Sequence, residues 1–361
     1  MNAQLQDSAI RHAIYLERFK GRQANKIVKH LNKEVFPDLL KKLSTRLERI
    51  SARGFDTSVR RTKRLLQMVE GLDSIIDDGF RGTETILRAD LKGLAAAEVR
   101  LQRLVMGQAL PINVSFISPS AQLLDSVVTS RPFEGQILKG WFQDLGRTTK
   151  KNVQRQVQIG ITSGESVPNI VRRLQGTRAN RYADGILDTA RHQTEAVVRT
   201  AINHTSTHAR EETYKANSSF IKGVRIVATL DSRTTLICMG LDGKVFPPNE
   251  GRRPPFHFNC RTTTTPITKS WKELGINLKE APPGTRASMG GQVPATQTYG
   301  TWLKRQDKST QDVALGRERA KLFRSGKIKV EQFTTKHGRT LGLGELEKLE
   351  GASIRGKKAS A

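Results

Sequence analysis

The sequence contains little cysteine, few aromatic residues and no long apolar segment. Two cysteines among 361 residues are too few for a disulfide framework, and aromatic residues make up 6% of the chain. No apolar run approaches the roughly 20 residues that span a bilayer. The N-terminal segment has no apolar stretch after a basic start. We therefore expect no signal peptide, no membrane partner and synthesis in a reducing cytoplasm.

Acidic residues are also scarce relative to basic ones. The chain has 61 Lys and Arg against 34 Asp and Glu, which gives a net charge of +27. A surplus of this size repels itself unless a polyanion neutralises it. Nucleic acid is the usual polyanion, and contact with its phosphates requires no base-reading motif. The composition therefore predicts nonspecific contact with double-stranded DNA, and the alternative is a merely soluble basic surface.

Two short basic clusters on predicted helices are the candidates for DNA contact. The first is the run "RRTKR" at residues 60–64, and the second lies in the segment "ESVPNIVRRLQG". A run of charged residues on a helix often only faces solvent. The prediction that these two clusters contact DNA therefore rests on the net charge of the whole chain. The candidate DNA-contacting residues are Arg60, Arg61, Lys63, Arg64, Arg172 and Arg173.

Hydrophobic periodicity predicts a predominantly α-helical α+β protein. Apolar residues recur at three- and four-residue steps through most of the first hundred positions, and Pro37 indicates the start of a new helix. The pattern changes after residue 221, where Val, Ile and Thr alternate and "LDGK" is typical of a hairpin turn. A third extended piece is predicted in "PPFHFNCRTTTTPI". We therefore expect a helical N-terminal region and a small β-hairpin-containing module in the C-terminal half.

Changes in composition suggest the domain boundaries. Prolines punctuate the segment after residue 106, large apolar residues are nearly absent from the segment after residue 280, and the last residues have no periodicity. The predicted organisation is a helical N-terminal region (1–106), a connector (107–136), a core of helices followed by a β module (137–280), a flexible linker (281–298), a C-terminal helical segment (299–350) and a basic tail (351–361).

Both cysteines lie near one histidine. His257 and Cys260 are three residues apart, so a turn can direct both into one site, and the predicted hairpin can bring Cys238 beside them. Thiolate and imidazole are the ligands that zinc selects, so the three residues are candidate ligands for a structural zinc ion. The alternative is a small core of buried thiols beside a hydrogen-bonded histidine.

A structural zinc site needs a fourth ligand, which the sequence does not identify. Asp231, His204 and His208 are candidates, and the last two are four residues apart on a predicted helix. If no metal is bound, Asp231 is expected to pair with Arg233 and stabilise a turn. No paired carboxylates, second histidine motif or phosphate-binding glycine loop occurs at useful spacing, so we assign no catalytic residue.

Five segments in order carry a resemblance to a known family. They are "GITSGESVPNIVRRLQG", "VVRTAINHTSTHAREETYKAN", "DSRTTLICMGLDGKVF", "RPPFHFNCRT" and the C-terminal "YGTWLKRQDKSTQDVALGRERAKLFRSG" with "HGRTLGLGEL", and the third and fourth are the most specific. From about residue 137 to 350 the chain resembles the Mu F-like phage head morphogenesis, or minor head protein, family. Two positions depart from the family pattern, because Ala201 replaces a frequent Glu and Thr262 replaces a frequent second Cys. The positions that match the family motif are Arg199, Thr200, Asp231, Ser232, Arg233, Thr234, Cys238, Gly243, His257, Cys260 and Arg261.

The resemblance implies a minor head component of a tailed phage. Such a protein is expected in few copies inside the capsid near the portal vertex, and in the host cytoplasm during assembly. Its expected partners are the portal protein, the major capsid or scaffolding protein and packaged DNA. Two alternatives remain at this point: a metal-dependent nuclease that uses Cys238, His257 and Cys260, and a nonspecific host nucleic-acid-binding protein.

Overall fold

The computed structural model describes residues 2–52, 72–110, 114–280, 282, 284–335 and 338–358, with the backbone alone for residues 350 and 352–358. The basic run at residues 60–64, which the sequence marks as a candidate DNA contact, lies outside the described residues. The described part is predominantly helical with small antiparallel sheets, as predicted. None of its helices is long and apolar enough to cross a membrane.

Helices dominate the described part of the first two hundred residues. Helix α1 (Asn2–His30) continues through a π-helical turn (Leu31–Val35) into α2 (Phe36–Ser51), which has Pro37 in its first turn. Proline is tolerated there because the first turn leaves backbone amides without intrahelical partners. The remaining helices of this part are α3 (Asp73–Gln108), α4 (Ala121–Thr129), α5 (Leu138–Thr162), α6 (Val167–Gln175) and α7 (Ile186–Ala216).

The β module is a three-stranded antiparallel sheet with β1 in the centre. Strand β1 (Ile221–Val227) pairs with β2 (Val245–Phe246) on one side and with β3 (Thr263–Thr268) on the other. The predicted strands are present, but a short helix, α8 (Leu236–Leu241), lies between β1 and β2. The Thr-rich β3 is almost fully buried because its β-branched side chains pack well on a pleated surface.

Three segments differ from the sequence prediction. The predicted linker 281–298 contains the hairpin β4 (Thr285–Ser288) and β5 (Gly291–Pro294). The predicted connector 107–136 contains α4, and the predicted irregular tail is helical as far as Lys358. The C-terminal elements are α9 (Tyr299–Leu303), α10 (Lys308–Leu315), α11 (Arg317–Arg324), a 3-10 turn (Val330–Phe333) and α12 (Leu343–Lys358).

The chain divides into two compact units, each built from separated stretches of sequence. The first unit comprises residues 1–17, 96–120 and 206–361, and it contains all the strands that the structure describes. The second unit comprises residues 18–95 and 121–205 and is helical. Each predicted domain is a continuous stretch of sequence, whereas each of these two units is not. The predicted domain boundaries therefore stay a prediction.

A buried ion pair stands at the centre of the first unit. The Arg210 Nε donates to Glu98 Oε1 at 3.0 Å, and both side chains are at most 1% exposed. Arg210 also donates to Thr263 Oγ1, to the Thr264 carbonyl and to Ser206 Oγ. It therefore joins α3, α7 and β3. Burial alone would raise the pKa of Glu98, but the Arg210 charge and the hydrogen bonds from His12 and Ser206 lower it to about 2.

We expect Arg210→Met to destabilise the protein by about 3–5 kcal/mol at neutral pH, because the variant leaves the Glu98 carboxylate buried without its partner. Chemical denaturation at equilibrium measures this difference. Arg199→Met on the same helix is the matched control, since Arg199 forms a partly exposed pair with Glu195 whose loss should cost less than about 1 kcal/mol.

The contribution of the Glu98–Arg210 pair to the free energy of unfolding should decrease as pH falls. Because the folded-state pKa of Glu98 lies below its ordinary 4.5, its contribution is complete above that value and is lost as pH falls towards 2. In Arg210→Met, burial should instead raise the Glu98 pKa above 4.5, so the stability difference from wild type should narrow as pH falls from that raised pKa towards 2. A difference that stays constant with pH would contradict the assigned charge state.

Candidate metal centre

The two cysteines and His257 meet at one end of the β module. Cys238 lies in α8, whereas His257 and Cys260 lie in the loop that precedes β3. Cys238 and Cys260 are buried in an apolar cluster with Phe256, and His257 is half-buried. Asn259 has a left-handed backbone with φ of 59° and lies between the two loop ligands. The loop therefore turns sharply enough for residues three apart to reach the same point.

The spacing of the three side chains suits a tetrahedral metal ion. The Cys238 Sγ lies 3.8 Å from the Cys260 Sγ and 3.3 Å from the His257 Nε2, and all three donor atoms lie within 4.8 Å of one another. Zinc–sulfur bonds of about 2.3 Å place two tetrahedral sulfurs about 3.8 Å apart. The donor atoms thus lie close to where zinc would require them.

The orientation of His257 also fits metal binding. Its Nδ1 lies 2.7 Å from the Phe258 carbonyl oxygen, which can only accept a hydrogen bond, so Nδ1 carries the proton. In the neutral ring the Nε2 lone pair then points toward Cys238. Metal-binding histidines usually donate their second ring N–H to a carbonyl or carboxylate in this way. The Thr235 hydroxyl lies 2.9 Å from the same Nε2.

The two thiols differ in their affinity for protons. A hydrogen bond from Cys238 lowers the pKa of Cys260 well below the ordinary value, and His257 adds to this effect against the opposing effect of burial. The hydrogen bond to Cys260 and burial raise the pKa of Cys238. Two buried thiols this close resist losing both protons, so the cluster gains one thiolate readily and the second only with a cation present.

Asp231 is engaged elsewhere and is not a fourth ligand. Its carboxylate accepts two hydrogen bonds from Arg261, at 2.5 and 2.8 Å. The predicted pair with Arg233 is present at 3.9 Å with Arg233 80% exposed, and the Arg233 amide also donates to Asp231 Oδ1 at 3.1 Å. Burial would raise the pKa of Asp231, but the hydrogen bonds and charge of Arg261 lower it. A tertiary partner 30 residues away thus adds a closer interaction to the local one.

The two candidate histidines on α7 lie in different units. His204, in the second unit, packs against Phe133 with ring centroids 5.3 Å apart, and burial lowers its pKa to about 4. His208 lies in the first unit. Among the described residues, the group of possible metal ligands around Cys238 consists of Cys238, His257 and Cys260 alone.

The remaining motif positions form structural contacts. Thr200 is fully buried and donates to the Ala196 carbonyl, while the Thr234 hydroxyl donates to the Thr229 carbonyl. The Gly243 amide donates to the Ile226 carbonyl, and its φ of 81° favours glycine. Half-buried Ser232 lies in the turn between Asp231 and Arg233. Ser232, Thr234 and Gly243 thus lie in the turns at the two ends of α8, whereas Thr200 bonds within α7.

Sequence reasoning missed a second buried ion pair close to the cluster. Arg286 in β4 donates twice to Asp242, at 3.0 and 3.1 Å, and both side chains are at most 4% exposed. Asp242 also accepts the amides of Ala228 and Tyr299. This carboxylate therefore fastens the β4–β5 hairpin and α9 to the β module. No sequence signal indicated Arg286, which lies in a segment with almost no large apolar residues.

The comparison with protein families supports the predicted resemblance. Residues 151–265 match the family model described as "Phage Mu protein F like protein", which covers roughly a third of the chain and includes Cys238, His257 and Cys260. No curated protein and no solved structure matches the chain. The resemblance to a phage head morphogenesis family is thus confirmed over the matched residues.

We expect the full-length protein to bind zinc at about one equivalent, measured by native mass spectrometry and elemental analysis. Cys260→Ser should lose the metal and lower the melting temperature, because it removes a thiolate ligand from a buried site. His192→Ala is the control, since this histidine is 74% exposed and lies in the second unit. Zinc-free protein whose melting temperature does not respond to added zinc would contradict the site.

Proposed function

We propose, from the membership of residues 151–265 in a phage head morphogenesis family, that the protein is a minor head component of a tailed phage. We assign it to few copies per particle, in the capsid interior near the portal vertex, after assembly in the host cytoplasm. The family match is the observation that carries this proposal. The portal protein and the major capsid or scaffolding protein are the partners that such a position requires.

The charge of the chain supports packaged double-stranded DNA as a further partner. Several acidic side chains are used in buried arginine pairs, including Glu98, Asp242 and Glu211. Each of these pairs neutralises itself inside the protein, so the net surplus of +27 belongs largely to the surface. A surface of this kind is compatible with a high density of phosphate.

In this proposal the metal centre has a structural role. Its two cysteines are buried among apolar side chains, and the neighbouring carboxylate of Asp231 is held by Arg261. A bound zinc ion would join α8 to the loop before β3 in a module whose sheet has three strands.

One observation favours a second candidate function, a metal-dependent nuclease. Three protein ligands with a fourth position left for water are typical of catalytic zinc sites. We rank this function below the structural one, because the buried cysteines leave little room for a DNA strand at the metal.

Purified virions and procapsids should both contain the protein, at a small fraction of the major capsid protein when measured by quantitative mass spectrometry. A phage with the gene disrupted should yield fewer filled heads in electron micrographs, and the same gene supplied in trans should restore them. Absence of the chain from both particles would refute the head assignment.

Plasmid-nicking assays distinguish the two roles of the metal centre. We expect zinc-loaded protein to leave supercoiled DNA intact, because a structural zinc ion activates no water. His257→Ala should therefore change the melting temperature without changing the plasmid. Nicking by the wild type that His257→Ala abolishes would establish the nuclease instead.

A further inference from the structure

A closed loop joins α6 to α7 in the second unit. It spans residues 176–185 and its two ends are glycines in close contact. A Cβ on Gly185 would lie 2.4 Å from the Gln175 carbonyl carbon, and Gly176 has a φ of 86°. Other residues would force these ends apart, so the glycines allow the loop to close on itself. Compact loops of this length with adjacent ends are frequently functional.

Asp184 is the single acidic residue of this loop, and its carboxylate accepts hydrogen bonds from other residues of the loop. The Asp184 carboxylate accepts from the Thr177 amide at 2.7 Å, from the Thr177 hydroxyl at 2.8 Å and from the Asn180 side chain at 3.0 Å. These bonds, the Thr177 amide first, lower the pKa of Asp184 to about 2. The carboxylate therefore fixes the loop conformation and does not pair with the loop's arginines.

Three exposed arginines lie in or next to this loop. Arg178 and Arg181 belong to the loop, and Arg172 lies in the last turn of α6. None of the three forms an ion pair within the residues that the structure describes. Arg173, the neighbouring candidate from the sequence, differs from them because it pairs with Glu165. The local positive charge is thus uncompensated.

The loop backbone is held in a strained conformation next to a groove. Arg181 and Tyr182 both have left-handed φ angles, of 53° and 65°, which non-glycine residues rarely adopt. The Tyr182 amide donates to the Thr177 carbonyl at 2.8 Å, which secures this geometry. Arg172, Arg178 and Tyr182 line a groove of about 480 Å³ that Ser44 of α2 also borders.

We propose that Arg172, Arg178, Arg181 and Tyr182 form a phosphate-binding surface for double-stranded DNA, here named the arginine loop surface. The inference rests on the proposed function, which supplies DNA as the partner. Guanidinium groups match phosphate geometry through paired donors, and a preorganised loop loses little entropy when it binds. A single exposed tyrosine favours the duplex, because single-strand sites rely on several stacked aromatic rings.

The test uses fluorescence anisotropy of the full-length protein with labelled duplexes of two unrelated sequences over a range of salt concentrations. Wild-type affinity should fall steeply with salt and be the same for both sequences. The triple variant Arg172→Ala, Arg178→Ala, Arg181→Ala should bind roughly tenfold or more weakly at moderate salt. Its slope of log K against log salt should be shallower by about 2–3, as expected for the loss of about three phosphate contacts.

A second triple variant removes the same charge from exposed positions of the first unit. Arg305→Ala, Lys308→Ala, Arg317→Ala should keep most of the wild-type affinity and slope. Both variants should retain the wild-type melting temperature, because the substituted side chains are exposed. A third variant with lysine at 172, 178 and 181 keeps the charge and should bind only a few-fold more weakly than wild type, with most of the salt slope retained.

The outcomes separate failure of the surface from failure of the proposed function. Equal losses in the two alanine variants would show that total charge alone governs binding, and would overturn the arginine loop surface while DNA contact stands. Wild-type protein that does not bind duplex DNA, or binds it without salt dependence, would overturn both the surface and the DNA contact.

Discussion

The buried pair between Glu98 and Arg210 is the interaction on which the first unit depends. A carboxylate that leaves water for an apolar interior is very unfavourable unless it is paired and hydrogen-bonded, and both conditions are met here. The guanidinium reaches across from α7 to the strand that follows the cysteine loop, through Thr263 and Thr264. The position of β3, and with it that of the loop carrying His257 and Cys260, therefore depends on this pair.

The use of acidic residues in buried arginine pairs explains why the positive surplus lies at the surface. Arg286 with Asp242 and Arg253 with Glu211 are two further buried pairs, and each of them is joined by two hydrogen bonds. Arginine suits this role because its planar group can satisfy a carboxylate and nearby carbonyls at once. The chain has 34 acidic residues against 61 basic ones. Each acidic residue in a buried pair therefore leaves fewer acidic residues to offset the basic residues at the surface.

Much of the fold was predictable because its signals are local. The break at Pro37, the end of α6 at Gly176 and the Thr-rich strand β3 each follow from residues within one turn or strand. Helix α8 was missed because "LICMG" has too few residues for a helical period and stands among β-branched residues. The convergence of Cys238, His257 and Cys260 was predictable as a hypothesis from their types and spacing.

The partners of charged residues were not predictable, because they depend on tertiary contacts. Asp231 pairs with Arg233, two residues away, as expected, but its closer partner is Arg261, which the sequence did not indicate. Arg286 stood in a segment that resembled a linker by composition, and its partner Asp242 resembled an ordinary turn residue. Sequence spacing predicts contacts within a helix or a turn, whereas these pairs join elements 30 and 44 residues apart.

The motif that carries the family resemblance and the surface proposed for DNA contact have different physical roles. Hydrogen bonds within the β module involve the motif residues Asp231, Thr234 and Gly243, so these residues stabilise the fold of that module. The arginine loop surface differs, because the neighbouring Asp184 carboxylate accepts hydrogen bonds within the loop and the three arginines form no ion pair among the described residues. Two of these arginines lie on the loop, and Arg172 lies in the last turn of α6, where its charge also favours the helix end. A polyanion outside the protein is the partner proposed for this surface.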